Sequence, residues 1–372
     1  MATQQKFEGW VAEKSTKEQD LIWKEYEMKP FEDTDIEIRI THCGVCGTDD
    51  HISKNGWGST EYPIVVGHEI VGVATRIGSK AEGHIKEGDI VGVGAQSDAC
   101  FERDGPCEEC ANGLYNYCSK NTPTYGGVHW CGTPSTGGYA RYHRCPSRFV
   151  VKIPQGLAPE LAAPMLCAGA TMYAPLKYFG ATGRKVAIIG IGGLGHFGIM
   201  FAKALDAAEV VAISRGSDKK GDALALGADE HIATSEEGWA EKNKRRFDLI
   251  INTADGSNAS ITLSITSSTF TNINKMPWNE YLGLLRVDGT MVSVGAPEKA
   301  IPINIFSLLP IRGRFTSTSV ATPNEVRDML QLAADKNLKP WVEERPMREA
   351  NEALKDLQAG KPRFRYVLVN ED

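Results

Sequence analysis

Between residues 36 and 41 apolar and polar side chains alternate without a break, as Ile36-Glu37-Ile38-Arg39-Ile40-Thr41. A period of two predicts a half-buried strand with its isoleucines toward a core. Apolar runs over Val65 to Ile77 and Asp89 to Val93 predict further strands, punctuated by Gly67, Gly72, Gly78, Gly83 and Gly88. Residues 100–138, rich in Cys, Gly and Pro, predict loops. Arg141 to Ile153 predicts strand again, and Pro154 a break. Leu161 to Leu176 fits a helix, with Pro164 placed in its first turn, where a missing N–H is tolerated.

From Lys185 the rhythm changes. Short apolar runs at Val186–Ile189, Val210–Ser214, Phe247–Asn252, Thr290–Val294 and Gly313–Thr318 alternate with helical stretches, with a weaker run at His231–Ala233. Strand–helix alternation predicts a doubly wound parallel sheet, so the fold class is α/β with a β-rich first third. Residues 257–279, rich in Ser, Thr and Asn, fit no element. Asn324 to Asn337 and Glu349 to Ala359 read as amphipathic helices, and Arg363 to Val369 as a strand that returns to the first domain.

Length and charge narrow the class. At 372 residues two domains are the default. A net charge of −6 argues against a nucleic-acid partner, which needs a basic face. No run of eighteen apolar residues predicts a membrane span, and Met1 to Lys17 is polar without the apolar core of a leader. A cytoplasmic location is the default expectation, and nine cysteines there suggest metal thiolates rather than disulfides.

The first chemical motif is Lys185-Val-Ala-Ile-Ile-Gly190-Ile-Gly192-Gly193-Leu194-Gly195, a strand entering a glycine turn and then a helix. This is the dinucleotide-binding fingerprint: Gly190 permits the turn, Gly192 lets backbone approach a pyrophosphate, and Gly195 lets helix and strand pack. The free N–H groups of the helix N-terminus then face the phosphates. The next strand ends in Ser214-Arg215 with Lys219 following, and no carboxylate stands at its end. A hydroxyl, a guanidinium and an ammonium suit a 2′-phosphate, so NADP(H) is expected over NAD(H). Lys220 reads as a solvated surface residue.

Two sets of metal ligands follow. Cys100, Cys107, Cys110 and Cys118 lie within nineteen residues and match a closed, structural zinc site. Glu102, Asp104, Glu108 and Glu109 beside them would repel a nucleic-acid phosphate. The second set is dispersed: Cys46 in Gly44-Val-Cys-Gly-Thr48-Asp49, His68 and Glu69 in Gly67-His-Glu, and Cys167 in Cys167-Ala-Gly169. All are zinc-ligand types, but a lone His or Cys at a strand end is more often simply a buried side chain, and spacing does not assemble them.

The order of Cys46-Gly-Thr-Asp49, Gly67-His-Glu69, the four-cysteine run, Gly137-Gly-Tyr-Ala140 and Gly190-x-Gly-Gly-x-Gly195 resembles the zinc-dependent medium-chain alcohol dehydrogenases. Leu166-Cys-Ala-Gly-Ala-Thr171 and Ser214-Arg215 resemble their cinnamyl alcohol dehydrogenase group, including broad-specificity NADP-dependent yeast members. The resemblance covers nearly the whole chain. It implies a GroES-like catalytic domain over 1–157 with a structural-zinc lobe at about 98–120, a Rossmann NADP-binding domain over 158–318, and a return to the catalytic domain over 319–372, with the active site in the cleft.

It also implies two zinc ions per chain: a catalytic one on Cys46, His68, Glu69 and Cys167, with Glu69 replaceable by substrate or water, and a structural one on the four-cysteine set. Asp49 would orient His68, Thr48 and His51 would relay a proton, and Thr171 would join Gly190, Gly192, Gly193, Leu194, Gly195, Ser214, Arg215 and Lys219 in holding the cofactor. The activity implied is hydride transfer between NADPH and an aldehyde carbonyl polarised by zinc, EC 1.1.1.- and within it 1.1.1.2. The partners are a small aldehyde or alcohol and a second copy of the chain in a homodimer. The substrates implied are aromatic or medium-chain aldehydes, or one specialised biosynthetic aldehyde. Trp57 and Tyr62 are possible pocket walls, Tyr62 equally a core residue. Two departures stand out: the six-residue gap between Cys100 and Cys107, and the length of the 257–279 stretch. The alternatives are a catalytically silent NADPH-binding protein on this fold and a polyol or secondary-alcohol dehydrogenase.

Overall fold

The structure, a computed structural model, describes residues 6–15, 20–83, 85–254, 276–296 and 300–371. Two compact units emerge, Met1–Thr171 with Ser319–Asp372, and Met172–Thr318. The segment 158–171 therefore groups with the first unit. Residues 257–275 of the Ser/Thr-rich stretch lie outside the described residues, and the stretch ends in the helix Trp278–Gly283.

The first unit is built around the strand Asp35–Gly44. It pairs antiparallel with Ile70–Ile77, with Tyr142–Pro146 and with the C-terminal strand Arg365–Val369, which itself pairs parallel with Val342–Pro346. Ile36, Ile38 and Ile40 are fully buried, each contributing about 1.5–3 kcal/mol relative to exposure. The alternation at 36–41 predicts a half-buried strand, and Arg39 and Thr41 are half-buried, while Glu37 departs from the pattern. Glu37 is buried too, because Arg144 stands directly opposite it in the Tyr142–Pro146 strand and pairs with its carboxylate. An ion pair across the sheet let a polar position be covered.

Three other predictions shift. The run Val65 to Ile77 is two strands, Ile64–Val65 and Ile70–Ile77, because Gly67 takes a φ of +101° and turns the chain between them. Arg141 to Ile153 is interrupted by a short 3₁₀ turn at Ser147–Phe149. Pro164 is not in the first helical turn. Pro159 occupies that place, Pro164 ends the helix Pro159–Pro164, and a π-helical turn, Met165–Gly169, follows before the helix Ala170–Tyr178. A proline inside a helix removes one N–H from the ladder and crowds the carbonyl four residues back, and a widened turn is one way to absorb that.

In the second unit six strands form a parallel sheet in the order Glu230–Ala233, Glu209–Ser214, Lys185–Ile189, Phe247–Asn252, Leu285–Ser293 and Arg314–Thr316. Chain order reverses between the third and fourth of these, which opens a crevice at their C-terminal ends where such sheets bind ligands. This is the doubly wound arrangement that the apolar rhythm predicts. No helix among the described residues is long and apolar enough to cross a membrane.

Candidate functional site

In the first unit Cys46, His68, Glu69 and Cys167 converge, with one ligand atom from each lying within 4.8 Å of the others. Cys46 follows the strand Asp35–Gly44 and caps the short helix Gly47–Ser53. His68 and Glu69 occupy the turn before Ile70–Ile77, and pairing of the two strands places the Gly44 N–H 3.0 Å from the Glu69 carbonyl. A Cβ on Gly44 would lie 1.9 Å from Glu69 Oε2, so any larger residue there would displace the Glu69 carboxylate. Cys167 is presented by the π-helical turn.

All four side chains are buried. The Cys167 thiol hydrogen-bonds Cys46 and, against the burial penalty and with help from His68, holds Cys46 well below the usual thiol range. Cys167 is pushed up by the same contact and by burial. Burial also holds Glu69 up, to about 7, with Cys46 adding to the effect and Arg365 opposing it. Four ionisable groups buried together are costly unless paired or bound to a cation. Two thiols, an imidazole and a carboxylate at this spacing fit zinc.

Asp49 Oδ1 lies 3.0 Å from His68 Nδ1, which leaves Nε2 for the ligand cluster. Thr48 Oγ1 lies 3.7 Å from Cys46 Sγ. His51, one helical turn on, stacks on Trp57 with ring centroids 5.0 Å apart and planes 12° apart. Trp57 is therefore largely a partner of His51, while Tyr62 packs against the core and donates to the Ser53 carbonyl.

One residue beside the cluster was not foreseen. Arg365 is buried in the C-terminal strand and pairs with both oxygens of Glu69. Its only sequence signal is a cation in a run that otherwise reads as a buried strand. Removing one partner of a buried ion pair typically costs about 3–5 kcal/mol. Arg365→Met should therefore lower the thermal midpoint by several degrees, measured by calorimetry; an unchanged midpoint would mean that Glu69 does not need this partner.

The other four cysteines also meet: Cys100, Cys107, Cys110 and Cys118 bring their sulfurs within 4.8 Å of one another. The Glu102 and Lys120 N–H groups lie 3.5 and 3.4 Å from the sulfurs of Cys100 and Cys118. The long gap after Cys100 is taken up by a loop whose Phe101 packs on Tyr115 and Phe149, while Arg103 pairs with Asp98 at 2.6 Å.

In the second unit Gly190 has a φ of +86°, and a Cβ on Gly195 would sit 1.8 Å from the Gly190 carbonyl oxygen. Gly192 faces open space. The helix Gly195–Ala204 has no side-chain cap, and the His196 N–H of its first turn is taken by the Gly192 carbonyl at 3.1 Å. Contact between helix and strand is made at Gly198, whose Cβ would meet Ile188 side-chain atoms at 3.2 Å. Thr253, unforeseen, braces the turn, with Oγ1 2.9 and 3.1 Å from the carbonyls of Ile189 and Gly190.

Ser214 donates to the Gly216 carbonyl at 2.7 Å, so the His231 Nε2 at 2.8 Å is donor to the serine oxygen. Arg215 is exposed beside it. Lys219 reaches back instead to the Ile191 carbonyl, 2.7 Å away in the glycine turn. Thr171 is buried at the end of the first unit.

Residues 32–155 match the family model described as alcohol dehydrogenase GroES-like domain, and residues 193–335 the one described as zinc-binding dehydrogenase. The chain is 40% identical to NADP-dependent alcohol dehydrogenase 6 of Saccharomyces cerevisiae over 99% of its own length and 95% of the relative's. It is 37% identical to probable cinnamyl alcohol dehydrogenase 6 of Arabidopsis thaliana, covering 90% of this chain and 86% of that protein. Among solved structures, a cinnamyl alcohol dehydrogenase from Sorghum bicolor is similar with a TM-score of 0.87 and 30% identity, over 98% of each chain. One from Helicobacter pylori, complexed with NADP(H), is similar with a TM-score of 0.84 and 26% identity, also over 98% of each.

Proposed function

Because the chain belongs to the zinc-dependent medium-chain alcohol dehydrogenases, in their cinnamyl alcohol dehydrogenase group, we propose that it interconverts aldehydes and primary alcohols with NADP(H), as an aldehyde reductase of class EC 1.1.1.- and within it 1.1.1.2. The observation that carries this reading is the buried convergence of Cys46, His68, Glu69 and Cys167. Bound there, zinc supplies Lewis acidity at a carbonyl oxygen, and the nicotinamide supplies the hydride. Cys46, Cys167 and His68 Nε2 would hold the ion, and Glu69, steadied by Arg365, would be the fourth, displaceable ligand. Thr48 and His51 share one face of the helix Gly47–Ser53. The Thr48 hydroxyl gives the proton, and His51, its ring fixed against Trp57, replaces it. Gly190 to Gly195 carry the pyrophosphate, and Ser214, Arg215 and Lys219 complete the cofactor site of the second unit. The four-cysteine set holds a second, structural zinc.

NADPH oxidation should be fast with cinnamaldehyde, benzaldehyde and straight-chain aldehydes, and much slower with NADH. The absence of turnover with every aldehyde, in protein that carries both zinc ions, would sink the broad reductase reading. A relative 38% identical is a mannitol dehydrogenase from Petroselinum crispum. Mannitol oxidation faster than any aldehyde reduction would favour the polyol reading instead.

A homodimer through the nucleotide-binding unit belongs to the same proposal. The strand Arg314–Thr316 ends the parallel sheet, and beside it the turns Ile305–Ser307 and Leu309–Ile311 expose Ile305, Phe306 and Leu309 at 57%, 72% and 63%. Exposed apolar side chains next to an open sheet edge suit a self-complementary contact. Phe306→Glu combined with Leu309→Glu should halve the mass measured by light scattering. An unchanged dimer would place the interface elsewhere.

A further inference from the structure

The Asp49 carboxylate collects more donors than its link to His68 requires. Oδ2 receives the Cys46 N–H at 2.9 Å and the Tyr139 hydroxyl at 3.1 Å. Oδ1 receives the Gly67 N–H at 3.1 Å, His68 Nδ1 at 3.0 Å and the Tyr125 hydroxyl at 2.6 Å. A carboxylate offers about four lone-pair sites, so five donors saturate it. Asp49 and Tyr139 are fully buried and Tyr125 is 6% exposed, so water does not compete for these bonds.

The two tyrosines come from different loops, one following the four-cysteine lobe and one in the Gly137-Gly-Tyr-Ala140 segment. Tyr125 also packs its ring on His68, with centroids 5.5 Å apart and tilted by 52°. Its oxygen lies 3.1 Å from His68 Nδ1, an approach of two donors that share one acceptor oxygen. Tyr139 needs the backbone beside His68 to be bare, since a Cβ on Gly67 would lie 2.5 Å from its ring. A buried tyrosine hydroxyl needs some partner, and a peptide carbonyl would satisfy it. Both hydroxyls instead meet on the carboxylate that orients a ligand histidine.

We propose that Tyr125 and Tyr139 are positioning residues for the catalytic metal, whose hydroxyls lock both oxygens of Asp49 and thereby hold His68 with Nε2 toward Cys46, Glu69 and Cys167. The proposal rests on the reading of those four side chains as a zinc site. Tyr125 carries the larger share, because its bond is the shorter and falls on the oxygen that receives His68. Outer partners of a metal-bound histidine typically tune metal affinity by about 10–100-fold.

The test uses Tyr125→Phe and Tyr139→Phe, which keep both rings and delete only the hydroxyls. Zinc affinity is measured on the full chain by competition with a chromophoric chelator, and the geometry of the site by the visible absorption of protein carrying Co²⁺ in the Cys46 set. Tyr125→Phe should weaken the catalytic site about 10-fold or more and shift the Co²⁺ bands, with the four-cysteine site unchanged. Tyr139→Phe should do the same to a smaller extent and carries the test if the first variant does not fold. Wild-type affinity and bands in both variants, with at most a lower thermal midpoint, would make the hydroxyls structural only and overturn the proposal. Wild-type protein that binds zinc at the four-cysteine set alone would instead overturn the underlying metal reading, and the proposal with it.

Discussion

On the proposed two-zinc reading, Cys46→Ser should lower aldehyde turnover by about 10³-fold or more and remove one zinc ion per chain. The size follows from the Lewis-acid role, which supplies several kcal/mol at the reacting oxygen, with each 1.36 kcal/mol a factor of ten in rate. The fold should survive, because the change replaces one buried sulfur by oxygen and leaves the Cys46 N–H on Asp49, 2.9 Å away. A serine hydroxyl is a poor substitute because the neighbouring groups that hold the Cys46 thiol low cannot bring an alcohol to its ionised form near neutral pH. Metal analysis, circular dichroism and turnover on one preparation check the three parts. Full turnover in a folded variant with one zinc would remove the Cys46 set from the chemistry.

Arg215→Asp should reverse the cofactor preference, with the ratio of kcat/KM for NADPH over NADH falling by about 10²-fold or more. A hydrogen bond to a charged group is worth about 1.5–3 kcal/mol, and a carboxylate in its place adds repulsion toward a 2′-phosphate. The same carboxylate would accept from a ribose 2′-hydroxyl, so NADH use should hold or improve. Arg215 is exposed at the end of the strand Glu209–Ser214, so the fold should tolerate the change. Ser214, held between Gly216 and His231, stays where it is. An unchanged ratio would move the phosphate site away from this strand end. Lys219, whose ammonium sits on the Ile191 carbonyl, should matter more for the shape of the glycine turn than for the choice of cofactor.

What was legible from the chain alone was local. The turn Gly190 to Gly195 reads as a dinucleotide site because its backbone demands are met within six residues: a positive φ at Gly190 and a bare Gly195 against its carbonyl. The four-cysteine lobe reads as a metal site for the same reason, and its long first gap proved a packed loop. The parallel strands of the second unit read correctly because a buried strand is an apolar run of fixed length between turns. One error arose where distant chain changed a local pattern: Arg144 covered Glu37 in a strand that alternates like a half-exposed one. Another was local: Pro164 sits at the end of a helix and is followed by a π-helical turn, where a helix start was read.

The proposed metal-ligand set of Cys46, His68, Glu69 and Cys167 belongs to the other class. Its four residues are spread over more than a hundred positions, and spacing alone left them as separate buried side chains; only the resemblance joined them. Strand pairing brings Cys46 to Glu69, and the π-helical turn adds Cys167. Arg365 and Tyr125 carry no motif, and the motif that holds Tyr139 does not point to Asp49, because what selects all three is a hydrogen bond to a carboxylate dozens to hundreds of residues away. Sequence by itself determined which chemistries the chain can hold, since those depend on residue types and on backbone demands met within a few positions. Tertiary structure alone decided which side chains surround the metal ligands, since buried ionisable groups take whatever partners the packing of distant strands delivers.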